Sequence, residues 1–438
     1  MLVKTDNVPR FLDAGIPSSN DSDSVDLSFP EWNHEEGAQK ATEPSQICRL
    51  DLRYYPKEIE NDLQGVNLPT KLIEESLACA WEYTRCVIPQ YTNWNRYIAF
   101  CRIIVIGVIA EFRGGLVNVA ESNHLLGYDL EELLNIVFGG AEIRNDMARE
   151  LRAFLLITSH KSSGSGCGTE LFHRYVNALV KSPKTWFRLR DCDALARFTI
   201  GAALACNDYN DVWFSEAELD ILTELCDTMY DAASYYKHRA EGETNSTFGY
   251  VGQELRQESY RRCREILWDL DVAWVRSPAH VCVLNFMRCF GGPIHLMMRR
   301  YRYVEDNLTV GIPETDSVVA QTRENIKLWN RVDQMKSSTQ DHQNGQIRDG
   351  MDRYREAVRR SDTLMFDGLA TVLQTSSYGH CCSCLYRQSY GAETAGQFGG
   401  VQLCDSCKAE WRSYIESFPA RASAVFPGLT QPPARTKP

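Results

Sequence analysis

The chain has 438 residues, a formal net charge of -11 and 44% hydrophobic residues, enough for one large domain with appendages or for two medium domains. An acidic chain without a dense Lys/Arg block is not expected to bind nucleic acid, because neutralising phosphates requires a basic face. The longest apolar run, at 103–110, is far shorter than a bilayer span and no signal-peptide core opens the chain, so we expect a cytoplasmic protein without stable membrane insertion.

The first segment in chain order, 1–48, is rich in Ser, Asp, Asn, Glu and Pro and has no apolar period, so it is expected to be a disordered leader. Helical patterns then follow one another without a strand pattern, which predicts an all-α domain over 49–370. Within it, 95–113 is apolar around most of its circumference and is expected to be a central, buried helix. Its last turn carries Glu111, either as a functional carboxylate at a rim or as part of a solvated helix end.

Arginines and acids adjoin on an apolar helical background further along the chain. Helical patterns at 129–138, 142–158 and 171–180 enclose a Gly/Ser-rich loop at 160–168 whose composition would let it move. The segment 186–214 then places two arginines directly before two acids. These four residues are Arg188, Arg190, Asp191 and Asp193. They are candidates for binding an anion and a metal ion together.

The stretch 219–247 concentrates oxygen ligands on one face of a predicted helix. At 100° per residue its apolar side chains share one face, and a second face carries acids, a hydroxyl and a histidine. The candidate Mg²⁺ ligands on that second face are Asp227, Asp231, Ser234 and Glu241. Lys237 flanks them and is a candidate anion ligand. The alternative interpretation is a solvated acidic face on an ordinary amphipathic helix.

A local basic cluster follows a predicted helix break late in the domain. Gly291, Gly292 and Pro293 should kink or end the helix that begins near 281. The cluster beyond it suits bidentate binding of phosphate oxygens, and its candidate ligands are Arg299, Arg300 and Tyr301. An exposed basic turn is the alternative.

Two Cys-x-x-Cys pairs distinguish the C-terminal segment 371–420. Nineteen residues separate the pairs, a spacing typical of a tetrahedral thiolate zinc site, whose ligands would be Cys381, Cys384, Cys404 and Cys407. The second pair opens an amphipathic helix, so we predict a treble-clef-like element in which Zn²⁺ is structural and supplies folding energy. Free or redox-active thiols are the alternative. The last residues, 421–438, are expected to be a flexible tail.

The order of these elements resembles that of class I terpene synthases, in which an upstream arginine, a metal-binding helix and a late Arg-Tyr pair act on one diphosphate. More specifically, the chain resembles the atypical fungal sesquiterpene synthases of the α-ionylideneethane synthase and α-humulene synthase group. Long, idiosyncratic strings carry this resemblance, at 79–97, 110–117, 190–200, 236–248, 290–305 and 389–404. Tyr230 and His238 depart from the Asn and Glu of the general metal-binding triplet, and the Asp-rich motif is absent, as it is in this group.

The resemblance implies a class I terpene-synthase-like helical bundle that ionises farnesyl diphosphate with catalytic Mg²⁺ and releases a cyclic sesquiterpene in fungal secondary metabolism. It implies acidic catalytic residues among Asp227, Asp231, Glu111, Asp191 and Asp193. The diphosphate would contact Arg188, Arg190, Lys237, Arg299, Arg300 and Tyr301. Aromatic side chains are expected to line a dry cavity that stabilises carbocations. The candidates are Trp94, Tyr97, Phe100, Phe198, Phe286 and Phe290.

Two other classes of protein stay open at the level of sequence. A helical metal-dependent phosphohydrolase would use the same acids with His238 and His295, and would release the prenyl alcohol. A non-enzymatic, zinc-stabilised interaction protein would leave the acidic column as ordinary surface. The sequence does not determine the cyclic product, the number of Mg²⁺ ions or the oligomeric state.

Overall fold

The computed structural model describes residues 55–162, 169–235, 238, 246–298, 343–376, 378, 381–386 and 401–429. The predicted leader 1–48 lies outside these residues, as does most of the loop 160–168. Five candidate ligands also lie outside them, namely Lys237, Glu241, Arg299, Arg300 and Tyr301.

Helices make up almost all of the regular structure in the described residues, which confirms the predicted all-α fold. The helices are α1 Thr70–Val87, α2 Trp94–Ala110, α3 Leu130–Phe138, α4 Arg144–Ser162, α5 Glu170–Leu179, α6 Pro183–Ala194, α7 Ala196–Ala205, α8 Glu216–Ala233, α9 Thr247–Val251, α10 Arg256–Trp274, α11 Pro278–Phe290, α12 Ile294–Met297, α13 Gln343–Arg359, α14 Ser361–Leu364, α15 Leu369–Thr375, α16 Asp405–Glu416 and α17 Phe418–Val425. Short 3-10 helices lie at Lys57–Ile59, Gly114–Leu116 and Gln253–Leu255. No described helix combines the length and apolar character needed to cross a membrane.

Helix α2 is the central helix that the sequence predicted. It is buried along most of its length and packs against α1, α3 and α4. Asn93 begins it by accepting a hydrogen bond from the Arg96 backbone N–H at 3.2 Å, which satisfies one of the free donors of the first turn. The helix ends at Ala110, slightly before the predicted end, and Glu111 is its half-buried C-cap.

The ends of α2 and α4 meet closely. The Ser162 hydroxyl accepts from the Gly114 N–H at 3.0 Å and donates to the carbonyl of Ala110. A Cβ at Gly114 would collide with the Ser159 carbonyl, so only glycine permits this approach. The residues after α2 and the last turn of α4 are therefore held together.

Helices α6 and α7 are separated by one residue, at a place where no break was predicted. Leu195 adopts φ 56° and ψ 29°, in the left-handed region that a branched apolar residue rarely occupies. The Asp191 carboxylate stabilises the break, because it accepts from the Arg197 backbone N–H at 2.9 Å in the first turn of α7.

Helix α8 packs against α6, α7, α9, α10 and α11 and is buried over most of its circumference. Ser215 and Glu218 form a reciprocal capping box at its start. The predicted helix continued to Glu241, but α8 ends at Ala233, where the Ser234 hydroxyl donates to the Tyr230 carbonyl at 2.8 Å. Because both Asp227 and Asp231 are fully buried, the alternative of a solvated acidic face is wrong.

The predicted break after α11 occurs at Gly291. A Cβ there would lie 2.7 Å from the Met229 methyl carbon on α8, and the Tyr260 hydroxyl donates to the Gly291 carbonyl at 3.2 Å. The glycine therefore lets α11 approach α8 closely and then turn into the short helix α12.

The C-terminal segment packs on the helical domain and belongs to the same compact unit. Strands β3 (Leu385–Tyr386) and β4 (Val401–Gln402) pair in antiparallel orientation, with Leu385 opposite Gln402. A second two-residue ladder, β1 (His124–Leu125) and β2 (Tyr128–Asp129), lies in a region where no strand was predicted. The tail expected from residue 421 begins inside α17, where Arg421 binds Glu224 of α8.

Candidate functional site

The candidate site lies between α6 and α8, where Arg190 meets three acids. Its guanidinium donates to Asp231 from Nη2 at 2.8 Å and to Asp193 from Nη1 at 3.1 Å. Arg190 is 3% exposed and Asp231 is fully buried. Burial alone would lower the pKa of Arg190, but the charges of Asp231, Asp193 and Asp227 raise it well above its ordinary value. We call Arg190, Asp193, Asp227 and Asp231 the Arg190 cluster.

Asp231 is held from both sides. Its Oδ1 accepts from Arg190, and its Oδ2 accepts from the Thr247 backbone N–H at 2.9 Å and the Thr247 hydroxyl at 2.7 Å. Thr247 is the first residue of α9, so the start of this helix contributes two donors to the carboxylate. The orientation of Asp231 is thus determined by three different elements, α6, α8 and α9.

Asp227, one turn before Asp231 on α8, differs from it in having no donor within the described part of the chain. The side chain is fully buried, and neither carboxylate oxygen has a hydrogen-bond partner among the described residues. Burial raises the pKa of Asp227 well above its ordinary value, and the neighbouring Arg190 only partly offsets this. The buried hydroxyl of Ser246, the residue before Thr247, likewise has no partner there. Such orphaned oxygens are the groups that a bound cation would satisfy.

Aromatic and imidazole rings cover one side of the Arg190 cluster. The Tyr230 ring lies 5.3 Å from the Arg190 guanidinium carbon and stacks on Phe290 at a centroid distance of 4.7 Å. His295, fully buried, lies 4.3 Å from the same ring. His238 lies 5.7 Å from it, and its Nδ1 is 3.1 Å from the Ser234 hydroxyl. On this side the cluster therefore borders a wall of π faces.

A second buried ionic cluster grows from the same helix α6. Asp191 accepts from Arg188 Nη1 at 3.2 Å, from Arg197 Nε at 3.0 Å and from the Arg197 backbone N–H. Arg188 also pairs with Glu150, and Arg197 pairs with Asp220 at 2.9 Å. We call these residues the Arg197 cluster. Every acid in it has a charged partner, so Arg188 and Asp191, both predicted site residues, are occupied in holding α4, α6, α7 and α8 together.

Two residues that sequence reasoning missed lie next to the Arg190 cluster. Lys161 places its Nζ 3.8 Å from Asp193 Oδ1, in the last turn of α4. The predicted carboxylate Glu111 directly follows Ala110, whose carbonyl accepts from Ser162, the residue after this lysine. The second missed residue is Thr247. Lys161 falls within a stretch predicted only as a loop, and no sequence pattern marks Thr247 as a partner of Asp231.

The six predicted cavity aromatics fall into three groups. Trp94 and Tyr97 pack with Trp81 and Tyr91 where α1 meets α2. Phe100 and Phe198 stack at 6.3 Å in the core between α2 and α7. Phe286 and Phe290 lie 5.4 Å apart on α11. Phe290 also stacks on Tyr230, so the α11 pair is the group that reaches the Arg190 cluster.

The four predicted zinc ligands do come together. The sulfur atoms of Cys381, Cys384, Cys404 and Cys407 all lie within 4.8 Å of one another, a set that fits a tetrahedral metal ion such as Zn²⁺. The first pair precedes β3, and the second pair brackets the start of α16. A knuckle, a hairpin and a helix in this order form the predicted treble-clef-like arrangement. We call residues 381–386 and 401–429 the thiolate module.

The structure defines an all-α protein with a buried acid–arginine cluster and a separate cluster of four cysteines that could hold a metal ion. Residues 51–428 match the family model described as Alpha-ionylideneethane synthase aba3, and the chain belongs to this family. The resemblance stated from the sequence is thereby confirmed.

Several curated fungal proteins are similar to this chain over most of their length. It is 59% identical over 392 residues to Alpha-ionylideneethane synthase aba3 of Botryotinia fuckeliana (strain B05.10), across 90% of this chain and 87% of the relative. It is 53% identical over 380 residues to Alpha-ionylideneethane synthase abl3 of Leptosphaeria maculans, across 86% of each chain. A relative of the same name from Pyricularia oryzae is 49% identical over 432 residues, across 86% of this chain and 83% of the relative.

Proposed function

We propose that this protein is a sesquiterpene synthase that ionises farnesyl diphosphate with Mg²⁺ and releases diphosphate and a cyclic hydrocarbon. Its relatives are named as synthases of α-ionylideneethane, which makes that hydrocarbon the first product to look for. The observation that carries the proposal is the Asp227 carboxylate, buried beside Arg190 with both oxygens lacking a partner among the described residues.

The donor set around Asp227 fits a hard divalent cation. A buried carboxylate without donors is costly, and a bound dication would compensate its charge and satisfy its oxygens. Carboxylate oxygens are the ligands that Mg²⁺ prefers, and Asp231, one turn away on the same helix, adds a second carboxylate, which Arg190 and Thr247 hold in place. Asp227 and Asp231 would therefore hold the ion. Bound there, Mg²⁺ would supply positive charge to the departing diphosphate.

The residues of the chain itself prepare the site for this charge. Arg190 and Thr247 fix the Asp231 carboxylate, so little reorganisation is needed when negative charge develops on the leaving group. Lys161 lies at the border of the cluster and adds a positive charge beside Asp193. Ser234, another candidate ligand, has its hydroxyl engaged by the Tyr230 carbonyl and His238, so we assign it a supporting role.

The aromatic wall suits the cationic part of the reaction. A carbocation requires a dry surface with electron-rich faces, and cation–π attraction is worth on the order of 2 kcal/mol when the partners are desolvated. Tyr230 and Phe290 stack beside the acids, and Phe286 extends the same surface along α11. In this proposal the wall would separate the diphosphate of the substrate from an apolar region in which its prenyl chain could cyclise.

We assign the thiolate module a structural Zn²⁺. Four thiolates complete the coordination of zinc and leave no position for a substrate. The catalytic ion and the structural ion are thus chemically different, with oxygen ligands in one centre and sulfur ligands in the other.

The test is incubation of the purified, zinc-replete full chain with farnesyl diphosphate and Mg²⁺, followed by gas chromatography and mass spectrometry. We expect a cyclic hydrocarbon and one equivalent of diphosphate, dependent on Mg²⁺. Release of farnesol with phosphate would identify a phosphohydrolase instead. A folded protein that consumes no substrate would leave an interaction protein as the better interpretation.

A further inference from the structure

An unbroken series of side-chain contacts joins the thiolate module to the Arg190 cluster. Cys404 is the N-cap residue of α16 and Cys407 lies in its first turn, so a metal ion held by these two residues would lie at the start of this helix. Trp411 follows Cys407 by one turn and is 2% exposed. Its ring packs edge-on against Trp186 of α6 at 5.3 Å and stacks with Tyr250 of α9 at 6.2 Å. The module therefore contacts the two elements that hold Asp231.

From Trp186 the contact continues through two hydrogen bonds in which donor and acceptor can be assigned. The indole N–H of Trp186 donates to the Thr247 hydroxyl at 2.9 Å. An indole N–H can only donate, so the hydroxyl must use its own hydrogen for its other partner, the Asp231 carboxylate at 2.7 Å. Both Trp186 and Thr247 are fully buried, where such bonds polarise one another.

A second contact joins the module to the metal-binding helix itself. Glu224 lies two turns before Asp231 on α8 and is 3% exposed. It accepts from both terminal nitrogens of Arg421, at 2.7 and 2.5 Å, and from the Tyr414 hydroxyl at 3.2 Å. This bidentate, buried pair fixes α8 against α16 and α17.

We propose that Trp186 and Thr247 are positioning residues for Asp231, and that Trp411 makes their geometry depend on the metal centre of the thiolate module. This proposal rests on the proposed function, because it assigns Asp231 to the Mg²⁺ site. A module that served stability alone would need only apolar burial against the helices. Here the contact ends in the hydrogen bond from the Thr247 hydroxyl to Asp231, one turn from Asp227, whose oxygens have no partner among the described residues.

The first arm of the test removes the hydroxyl while keeping its shape. Thr247→Val should raise the Mg²⁺ concentration needed for half-maximal turnover by roughly ten- to a hundredfold, the usual effect of losing an outer-shell partner of a metal ligand. Thr247→Ser restores the hydroxyl and should restore the Mg²⁺ response. Thr199→Val is the matched control, since Thr199 is a fully buried threonine whose hydroxyl bonds only the Leu195 carbonyl in the described structure.

The second arm removes the indole donor and keeps an aromatic ring. Trp186→Phe should shift the Mg²⁺ response in the same direction as Thr247→Val, and the double variant should shift it no further, because both changes break one chain. Trp274→Phe, on α10, controls for the general loss of tryptophan volume. If the two substitutions shifted the Mg²⁺ response additively, Trp186 would not act on Asp231 through Thr247.

The third arm measures the link to the metal centre without turnover. Hydrogen exchange of the full chain, followed by mass spectrometry, compares zinc-replete protein with the Cys404→Ser variant. Protection of the peptide over 246–251 should fall by about tenfold or more, while protection over α3 stays unchanged. Equal loss over both peptides, or no loss over 246–251, would overturn the dependence on the metal centre.

The outcomes separate this inference from the proposed function. A wild-type protein that forms no hydrocarbon would defeat the proposed function. An active wild type whose Thr247→Val variant behaves like Thr199→Val would defeat only the positioning role.

Discussion

The Arg190 and Arg197 clusters are two buried ionic groups that share helix α6. They differ in whether every buried acid has a hydrogen-bond donor. In the Arg197 cluster, Asp191 accepts from two guanidinium groups and a backbone N–H. In the Arg190 cluster, Asp231 is similarly held, but Asp227 has no donor among the described residues. Both groups combine buried acids with arginines, so burial and ion pairing alone do not distinguish them. The unsatisfied carboxylate does.

The physical reason is that a saturated buried cluster has nothing left to bind. Its charges are compensated internally, and its geometry contributes to holding helices in place. A cluster with an uncompensated acid persists only because the surrounding fold holds it in place, and a bound cation would stabilise the folded protein. The predictions below test this difference in order of decreasing effect.

Asp191→Asn should lower the free energy of unfolding by about 3 to 5 kcal/mol, because it leaves Arg188 and Arg197 buried without their shared partner. Chemical denaturation followed by circular dichroism measures this loss. Asp220→Asn is the control, since Asp220 bonds the same Arg197 but is 42% exposed, and its loss should cost less than about 1 kcal/mol. Equal losses for the two variants would contradict a saturated, stabilising Arg197 cluster.

Asp227→Asn should produce the reverse pattern. Turnover should fall by at least about a hundredfold, equivalent to roughly 2.7 kcal/mol of transition-state stabilisation, because the amide lacks the charge that a dication needs. The free energy of unfolding should stay the same or rise, since an uncompensated buried charge is removed. Steady-state assays and denaturation of the same samples check both expectations.

Asp231→Asn separates the two effects further. Asp231 carries the contacts to Arg190 and Thr247, so this variant should lose both turnover and stability. An Asp227→Asn variant that keeps wild-type hydrocarbon yield would remove Asp227 from the site.

The pH dependence of stability should also distinguish the clusters. Burial raises the pKa of Asp227, so the folded state binds its proton more tightly than the unfolded state does. Stability of the Mg²⁺-free protein should therefore decline as the pH rises above the ordinary carboxyl range, and Asp227→Asn should remove this part of the decline. Denaturation across a pH series in Mg²⁺-free buffer measures it.

Mg²⁺ with inorganic diphosphate should reverse that decline in the wild type. At a ligand concentration about a hundred times the Kd, the stabilisation should reach about 2.7 kcal/mol. The Asp227→Asn variant should show little of it. Equal stabilisation of both proteins would place the cation elsewhere.

Phe290→Leu should have the smallest effect on rate and a visible effect on product. Loss of the ring removes a π face worth about 0.5 to 2 kcal/mol, so turnover should fall by roughly two- to thirtyfold while the hydrocarbon distribution changes. Phe214→Leu, a comparably buried ring that packs on Trp274, is the control and should leave the distribution unchanged. Gas chromatography of both products decides the comparison.

The features that depend on local pattern could be predicted from the amino-acid sequence. Apolar periodicity predicted the all-α fold and the buried helix α2, glycines and proline predicted the break after α11, and the Cys-x-x-Cys spacing predicted the thiolate centre. The long strings of the resemblance led to the correct family. Each of these signals lies within a few residues of chain or within one motif, so no knowledge of packing was required.

The pairing of the charged residues could not be predicted from the sequence, because it depends on how the helices pack. Arg188, Arg190, Asp191 and Asp193 are close neighbours in sequence, yet α8 supplies the partner of Arg190 and α7 supplies that of Asp191. Both pairings depend on how α6 packs against its neighbours, and they separate residues that appeared equivalent in sequence. The same holds for Asp227 and Asp231, which share one helical face. Thr247 and Arg190 approach one of them and leave the other unpartnered among the described residues, because partners distant in the chain are brought together only when the helices pack.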